Sequence, residues 1–399
     1  MRARKMAEGL HWVGAVDFDR RLFDALIPLP EGTSYNAYVV QGAEKTALLD
    51  AVDPPMTRVL LKRLESLGLA RLDYIVAHHA EQDHSGAIPA VLERYPMAQV
   101  LCTAKCKPML LDHLALPEGR AEGSIRAVED GERVDLGGKT LQFIHFPWVH
   151  WPETMLTWLP ELKTLFPCDL FGSHYATNEL FCGGGEPVLL GAKRYYAEIM
   201  MPFRSTIAKN WGKLAVLDIR RIAPSHGPVW DKPALILDAY KDWTSAPPKN
   251  LAVLAYISMH DSTRLMADHL LEALTGLGVA VERFDLEDSD IGKLAMSLVD
   301  AQTLVLGTPT VIGGPHPRVA YAAVLANLLK PKARFGAVFG SYGWGGQAVE
   351  ALAKLLPALK LELLRPVLAK GLPRGPEFQA LDKLAQDIAA RHSTASVVV

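Results

Sequence analysis

The chain is poor in cysteine, with 4 in 399 residues, and Cys102, Cys106, Cys168 and Cys182 form no CxxC pair. So few cannot staple a protein of this size, and the spacing excludes a zinc ribbon or a rubredoxin-type centre. All four are expected as reduced thiols. A surplus of one charge is also missing: the formal net charge is -2 and the pI is near 6.7. That leaves no basic surface for nucleic acid or anionic membrane. No run approaches the roughly 20 apolar residues of a membrane span, and the start, MRARKMAEGLHW, lacks the apolar core of a signal peptide. A cytoplasmic location is therefore expected. Internal repeats and low-complexity stretches do not occur.

What is present is ordinary globular composition, 49% hydrophobic and 22% charged, in a chain too long for one typical core. Two domains are expected, 1–248 and 249–399. In the first, residues 35–51 and 72–78 read as β-rich, residues 55–67 carry apolar positions at helical spacing, and short strands are expected over 98–103, 140–146, 155–159 and 164–166. This describes an α/β sandwich. The segment 244–250, with Pro247 and Pro248, disfavours a continuing helix and marks a boundary. Beyond it strands (251–256, 280–285, 303–307, 334–339, 361–368) alternate with helices (263–277, 291–299, 319–329, 347–356, 377–391). That alternation is the pattern of a flavodoxin-type, doubly wound parallel sheet.

Directly after the apolar run Tyr74-Ile75-Val76 stands His79-Ala80-Glu81-Gln82-Asp83-His84. A strand thus delivers imidazoles and carboxylates, both metal ligands, to one sheet edge within six residues, whereas a merely solvated loop is usually built of Gly, Ser, Asn and Lys. His150, Asp169 and His226 follow in settings typical of sheet-edge loops. Each alone reads more simply as a polar residue beside a strand. His145 competes with His150 for the same role, or caps a strand.

Together these residues resemble the metallo-β-lactamase superfamily, whose metal motif is HxHxDH followed by histidine, aspartate and histidine; the likeness covers about residues 10–240. Glu81 stands where the zinc hydrolases carry histidine, and harder oxygen ligands move preference from zinc toward iron. HxExDH, with Asp83-His84-Ser85-Gly86, His150-Trp151-Pro152-Glu153-Thr154-Met155 and Arg194-Tyr195-Tyr196, resembles the flavodiiron proteins, or A-type flavoproteins. The resemblance implies an N-terminal metallo-β-lactamase-like αββα sandwich with two iron ions. His79, Glu81 and His150 would hold one, Asp83, His84 and His226 the other, and Asp169 would bridge them. His174 and Tyr195 could donate protons or hydrogen bonds nearby, or simply pack. Asp24 stands where many relatives have a histidine in the substrate pocket, and His78 where many have asparagine.

In the second domain the first strand–helix turn is Ser258-Met259-His260-Asp261-Ser262-Thr263, which offers hydroxyls and backbone N–H groups to a phosphate at a helix N-terminus. An ordinary N-cap reads the same way. Pro309, Thr310, Val311, Ile312 and Gly313 follow the third strand, and Ser341, Tyr342, Gly343, Trp344, Gly345 and Gly346 the fourth. Glycines admit a flat ring and aromatics stack on it. The three segments resemble flavodoxin-type FMN loops, with Ile312 in place of a frequent asparagine and His260 of a frequent tryptophan. A flavodoxin-like fold without flavin is the plainer alternative.

The expected function is oxidoreductase chemistry in which FMN passes electrons to a non-heme diiron site that reduces O2 to water, NO to N2O, or both. Resemblance further implies a head-to-tail homodimer and an external donor, a rubredoxin-like protein or reduced coenzyme F420. Two rivals are a zinc-dependent hydrolase, distinguished by stoichiometric zinc without flavin colour, and an electron-carrying flavoprotein with an inert metal domain. The second predicts that Glu81→Ala and Asp169→Ala leave gas consumption undiminished.

Overall fold

Along Tyr38–Gln41 and Thr46–Leu49 successive side chains point to opposite faces of a strand, and both faces are apolar. Val39 and Leu48 join a core shared with the helices Thr57–Glu65, Ile88–Arg94 and Cys106–His113, while Tyr38, Val40 and Leu49 join a second core with Phe143, Met155 and Phe166. The result is a sheet buried on both sides, with helices on one face and a second sheet on the other. The computed structural model describes residues 1–116 and 123–395. One compact unit comprises Met1–Tyr196 with Phe203–Thr244, the other Ala197–Pro202 with the residues from Ser245 onward.

The first sheet of the first unit has seven strands, in the order Arg4–Ala7, Leu10–Trp12, Tyr38–Gln41, Thr46–Leu49, Tyr74–Val76, Gln99–Cys102, Ile125–Ala127. The second has five: Arg133–Asp135, Thr140–His145, Met155–Leu159, Thr164–Phe166 and Arg221–Ile222. Two parallel pairings set where the ligand-bearing loops emerge. Thr46–Leu49 runs parallel to Tyr74–Val76, and Thr164–Phe166 to Arg221–Ile222. Parallel strands end on the same side, so the loops after them share one edge. The N-terminal strands before residue 33 were not expected from the sequence; they are two to four residues long, too short for alternation to register.

In the second unit the parallel strands are ordered Ala280–Asp285, Leu251–Tyr256, Thr303–Val311, Phe335–Tyr342, with Glu362–Leu363 and Val367–Lys370 both on the last. This is the flavodoxin order 2-1-3-4-5. Three expectations are corrected. The strand expected over 361–368 is two short strands, because Pro366 offers no N–H to the ladder. The third strand continues to Val311 and turns back at Ile312-Gly313 onto Gly314–Pro315. The helix Pro233–Ser245 includes Thr244 and Ser245, the Thr244 hydroxyl donating to the Tyr240 carbonyl (2.6 Å).

His392, on the last helix, is buried between this sheet and its neighbours. Its Nδ1 donates to Asn250 Oδ1 (2.8 Å) and its Nε2 accepts from the Thr303 hydroxyl (2.7 Å), a pattern that suits the neutral ring. Burial pushes its pKa down from 6.5 to about 4. A histidine depressed in the folded state contributes fully above its unfolded pKa and loses that contribution as pH falls. We expect a loss of at most roughly 3 kcal/mol between about pH 6.5 and 4. Thermal melts across that interval should fall less steeply for His392→Gln than for wild type; parallel slopes would refute this.

Candidate functional site

Four loops at one edge of the sandwich meet. His79 lies just past Tyr74–Val76, and the chain then turns into the one-turn helix Gln82–Ser85, which carries Asp83 and His84 inward while Glu81 stands at its N-terminal boundary. His150 comes from the connection between Thr140–His145 and Met155–Leu159. Asp169 and His226 follow the parallel strands Thr164–Phe166 and Arg221–Ile222. The two carboxylate oxygens of Asp169 face different groups. Oδ2 lies 3.4 Å from His150 Nε2 and 3.7 Å from His79 Nε2, and Glu81 Oε2 stands 2.9 Å from His79 and 3.3 Å from His150. Oδ1 lies 3.1 Å from His84 Nε2 and 3.3 Å from His226 Nε2, with Asp83 3.2 Å from His84 and 3.3 Å from His226. His79, Glu81, His150 and Asp169 form one potential metal group, and Asp83, His84 and His226 another.

Both oxygens of Asp83 and of Asp169 are buried without a hydrogen bond of normal geometry among the described residues, although imidazole nitrogens surround them. Buried carboxylates in that condition are costly unless a cation takes the space. Four imidazoles and three carboxylates in two sets, sharing one carboxylate, match two divalent cations with a bridge. Taken by themselves, the side chains compensate with protons. Burial disfavours the charged rings, but neighbouring carboxylates prevail: His150 rises to about 10, His226 to about 9, and Asp169 and Asp83 hold His84 well above its ordinary range. Asp169 lies well below the carboxylate range despite its burial, held there by His84, His150 and His226. Metal binding must displace these protons, so affinity falls as pH falls.

The outer contacts fix the rings. Glu153 Oε1 accepts hydrogen bonds from His79 Nδ1 (2.6 Å) and the Ala80 N–H (3.1 Å), and the Ser34 carbonyl accepts one from His226 Nδ1 (2.7 Å). Each leaves Nε2 free to bind metal. Glu153→Ala is expected to weaken metal binding by about 10–100-fold, read by chelator competition; an unchanged affinity would remove Glu153 from this role. Around the pair, Phe23 and Tyr195 pack on His174 at 5.4 and 4.7 Å between ring centres. His174 Nδ1 is 3.0 Å from the Thr33 hydroxyl, and its Nε2 is buried with no partner among the described residues. Burial, then the charge of His226, keeps this ring neutral. Asp24 has a left-handed backbone (φ 50°); burial and then Glu81 and Asp83 push its carboxyl up to about 6.

In the second unit, the helix Ser262–Gly276 starts from Asp261, which has a left-handed φ of 63° and makes no side-chain cap. The ordinary side-chain N-cap is therefore absent here, and the Ser262 N–H donates to the His260 carbonyl (2.8 Å). The Ser258 hydroxyl is buried without a partner among the described residues, while Thr263 and Ser341 hydroxyls are 3.2 Å apart. An unpaired hydroxyl and an uncapped helix N-terminus suit a phosphate. At the next strand end Ile312 (φ 48°) and Gly313 (φ 80°) form the tight turn, and a Cβ at Gly346 would lie 2.5 Å from the Thr310 methyl group. Ile312 and Trp344 are 97% and 92% exposed, apolar surface beside the cradle.

The ODP family beta lactamase model matches residues 33–227. A nitric oxide reductase of Moorella thermoacetica is 38% identical over 97% of this chain and 98% of its own length, and a type A flavoprotein of Rhodobacter capsulatus 36% over 90% and 85%. The chain belongs to the flavodiiron proteins, the type A flavoproteins. Among solved structures, rubredoxin oxygen:oxidoreductase from Desulfovibrio gigas superposes with a TM-score of 0.93 at 29% identity, each chain covered over 100%. The flavodiiron protein of Giardia intestinalis gives 0.92 at 27%, covering 99% of this chain and 97% of its own.

As in that family, the cofactors are FMN and a diiron centre. Within this flavodiiron chain all seven metal-ligand candidates come together in two neighbouring groups, and His145 does not join them: its Nε2 is 3.1 Å from the Val128 carbonyl. Of the flavin-loop candidates, Pro309, Thr310, Val311, Ser341 and Tyr342 belong to strand ends. Sequence reading missed the partners Glu153, Ser34 and Thr33. All three lie in stretches that resemble the family, Gly32-Thr33-Ser34-Tyr35 and His150-Trp151-Pro152-Glu153, but their roles were not assigned; the Ser34 contact uses a backbone oxygen, which no side-chain pattern announces.

Proposed function

We propose that this flavodiiron protein reduces O2 to water, NO to N2O, or both, with residues 1–248 carrying the diiron domain and 249–399 the FMN domain. The observation that carries the reading is Asp169, whose two oxygens each face a separate set of ligands. His79, Glu81 and His150 would hold one iron, and Asp83, His84 and His226 the other, with Asp169 between. When bound, the irons supply electrons and open positions for a diatomic gas, and FMN supplies the electrons that replenish them.

The protein's part is placement and protons. Glu153 and Ser34 fix ring orientation, and the apolar ring of Phe23 keeps bulk water off one side. The free Nε2 of His174 and the buried Tyr195 hydroxyl are the proton or hydrogen-bond donors for reduced oxygen; Tyr195 faces Asp169, and burial followed by that charge keeps it protonated. Asp24, with its raised pKa, makes the mouth acidic where relatives are imidazole-lined, and gas preference should depend on it.

The donor is a rubredoxin-like protein or reduced coenzyme F420. The working form is a head-to-tail homodimer in which the partner's flavin serves the irons, consistent with apolar exposure at Ile312 and Trp344. No helix among the described residues is long and apolar enough to cross a membrane, and the proposed setting is the cytoplasm. Anaerobic turnover of the chemically reduced protein with each gas in parallel tests the function. Flavin reoxidation matched to gas consumed is expected for at least one gas; stoichiometric zinc with neither gas consumed would overturn it.

A further inference from the structure

Behind the metal ligands lies a second buried line of polar groups to which the mechanism assigns no role. Asp50, just past Thr46–Leu49, accepts from the His78 N–H (2.9 Å) and, through Oδ2, from His78 Nδ1 (2.7 Å). The opposite ring nitrogen, Nε2, is 2.7 Å from the Thr157 hydroxyl on Met155–Leu159. All three side chains are buried, at 4%, 1% and 0% exposure. With Nδ1–H donating to Asp50, the ring accepts a hydrogen bond from the Thr157 hydroxyl at Nε2, so both bonds are satisfied by one tautomer. The constellation has the form of an acid–imidazole–hydroxyl triad, but Thr157 is fully buried and reaches no substrate. A nucleophilic role is thereby excluded.

Its position points elsewhere. Asp50 and His78 extend strands of the first sheet, and Thr157 sits within the second, so the line bridges the two layers. The Met155 N–H, also of the second sheet, donates to the His78 carbonyl (3.1 Å). His78 is thus tied to the second layer at both its ring and its backbone, immediately before His79. Asp50 also stands with His84 and Cys168 in a group whose polar atoms lie within 4.8 Å of one another, and the Ala51 N–H donates to the His84 carbonyl (2.7 Å). Asp50 therefore faces two histidines: His78, which holds it, and His84, whose Nε2 points at Asp83 and Asp169.

We propose that Asp50, His78 and Thr157 form a cross-sheet clamp that keeps His84 turned into the diiron site. His78 and Thr157 are positioning residues that act through Asp50. Without the clamp, Asp50 keeps only the His78 backbone N–H, and its second oxygen is released from the position it holds near His84. The ligand loops of the two sheets also lose a fixed separation. A metal ligand positioned by an outer partner typically forfeits about 10–100-fold in metal affinity when that partner is lost.

The inference rests on the reading that His84 belongs to a two-metal site, and the experiment separates the two. The full-length protein is loaded with Co(II), and the shifted, exchangeable imidazole N–H resonances are counted beside chelator competition. Thr157→Val keeps shape and removes one bond; Thr157→Ser retains it; His78→Ala removes the ring that bridges Asp50 and Thr157. The expected result is one fewer shifted resonance and a roughly 10–100-fold weaker Co(II) affinity in Thr157→Val and His78→Ala, with Thr157→Ser like wild type. Wild-type resonances and affinity in Thr157→Val overturn the clamp. Failure of wild type to bind two Co(II) overturns the two-metal reading instead. Should His78→Ala not fold, the valine and serine variants decide alone.

Discussion

Asp169→Ala should leave the protein unable to retain its iron pair, with gas reduction lost alongside. The side chain is 1% exposed and offers one oxygen to each ligand set, so its removal takes a ligand from both metals at once. The loss of affinity should exceed the ~10–100-fold that an outer hydrogen-bond partner costs. It should also reset the rings. His150, His226 and His84 owe their raised pKa values in part to Asp169, working against the burial that lowers them, so without it they become easier to deprotonate. Asp169→Asn retains shape without charge and separates the two effects. Iron per chain after graded chelator treatment, with flavin absorbance as the internal control, reads the result. Two irons and undiminished turnover in the alanine variant would return the protein to the reading of a flavoprotein with an inert metal domain.

The second large effect is expected at the other cofactor. Ser258→Asp places a carboxylate where a buried, unpartnered hydroxyl meets an uncapped helix N-terminus. Two unit charges ~4 Å apart repel by about 4 kcal/mol at an effective dielectric of about 20. Allowing for solvent, a loss of about 100-fold in FMN affinity is expected, equivalent to roughly 2.7 kcal/mol. Ser258→Ala removes a single hydrogen bond and should cost about tenfold or less. Recovery of flavin fluorescence on dilution reports the dissociation. Riboflavin, which lacks the phosphate, supplies the control: its weaker binding should be nearly equal in wild type and Ser258→Asp. Equal FMN affinity in the two proteins would place the phosphate elsewhere.

These two sites differ in how far the sequence alone reveals them. The ligand types in His79-Ala80-Glu81-Gln82-Asp83-His84 are compressed into one strand-end loop, so they stand out in the sequence without any structure. Asp169 and His226 do not: each is one polar residue beside a short strand, and only the order of the motif singled them out. The alternating strands and helices after Pro248 were legible because each element is long enough for its period to register. The strand broken at Pro366 and the two- to four-residue strands before residue 33 were not. Ser258 was legible as a candidate, but an N-cap and a phosphate cradle share the same residue types. The unfilled cap of Asp261 is a matter of backbone angle.

Local chemistry, then, was determined by the sequence itself: a dense oxygen-rich ligand set with Glu81 in a histidine position, two α/β units, and hydroxyl- and glycine-rich turns at three strand ends. These depend on residue type and short-range spacing, which the chain carries wherever it folds. The tertiary structure alone decided that Asp169 turns its two oxygens to two different sets of side chains, that His84 faces inward, and that Asp50, His78 and Thr157 join across the sandwich. Those contacts link residues tens of positions apart, 28 for Asp50 and His78 and 79 for His78 and Thr157. Only parallel strand ends and the packing of two sheets on a common core bring such distant side chains within hydrogen-bonding distance.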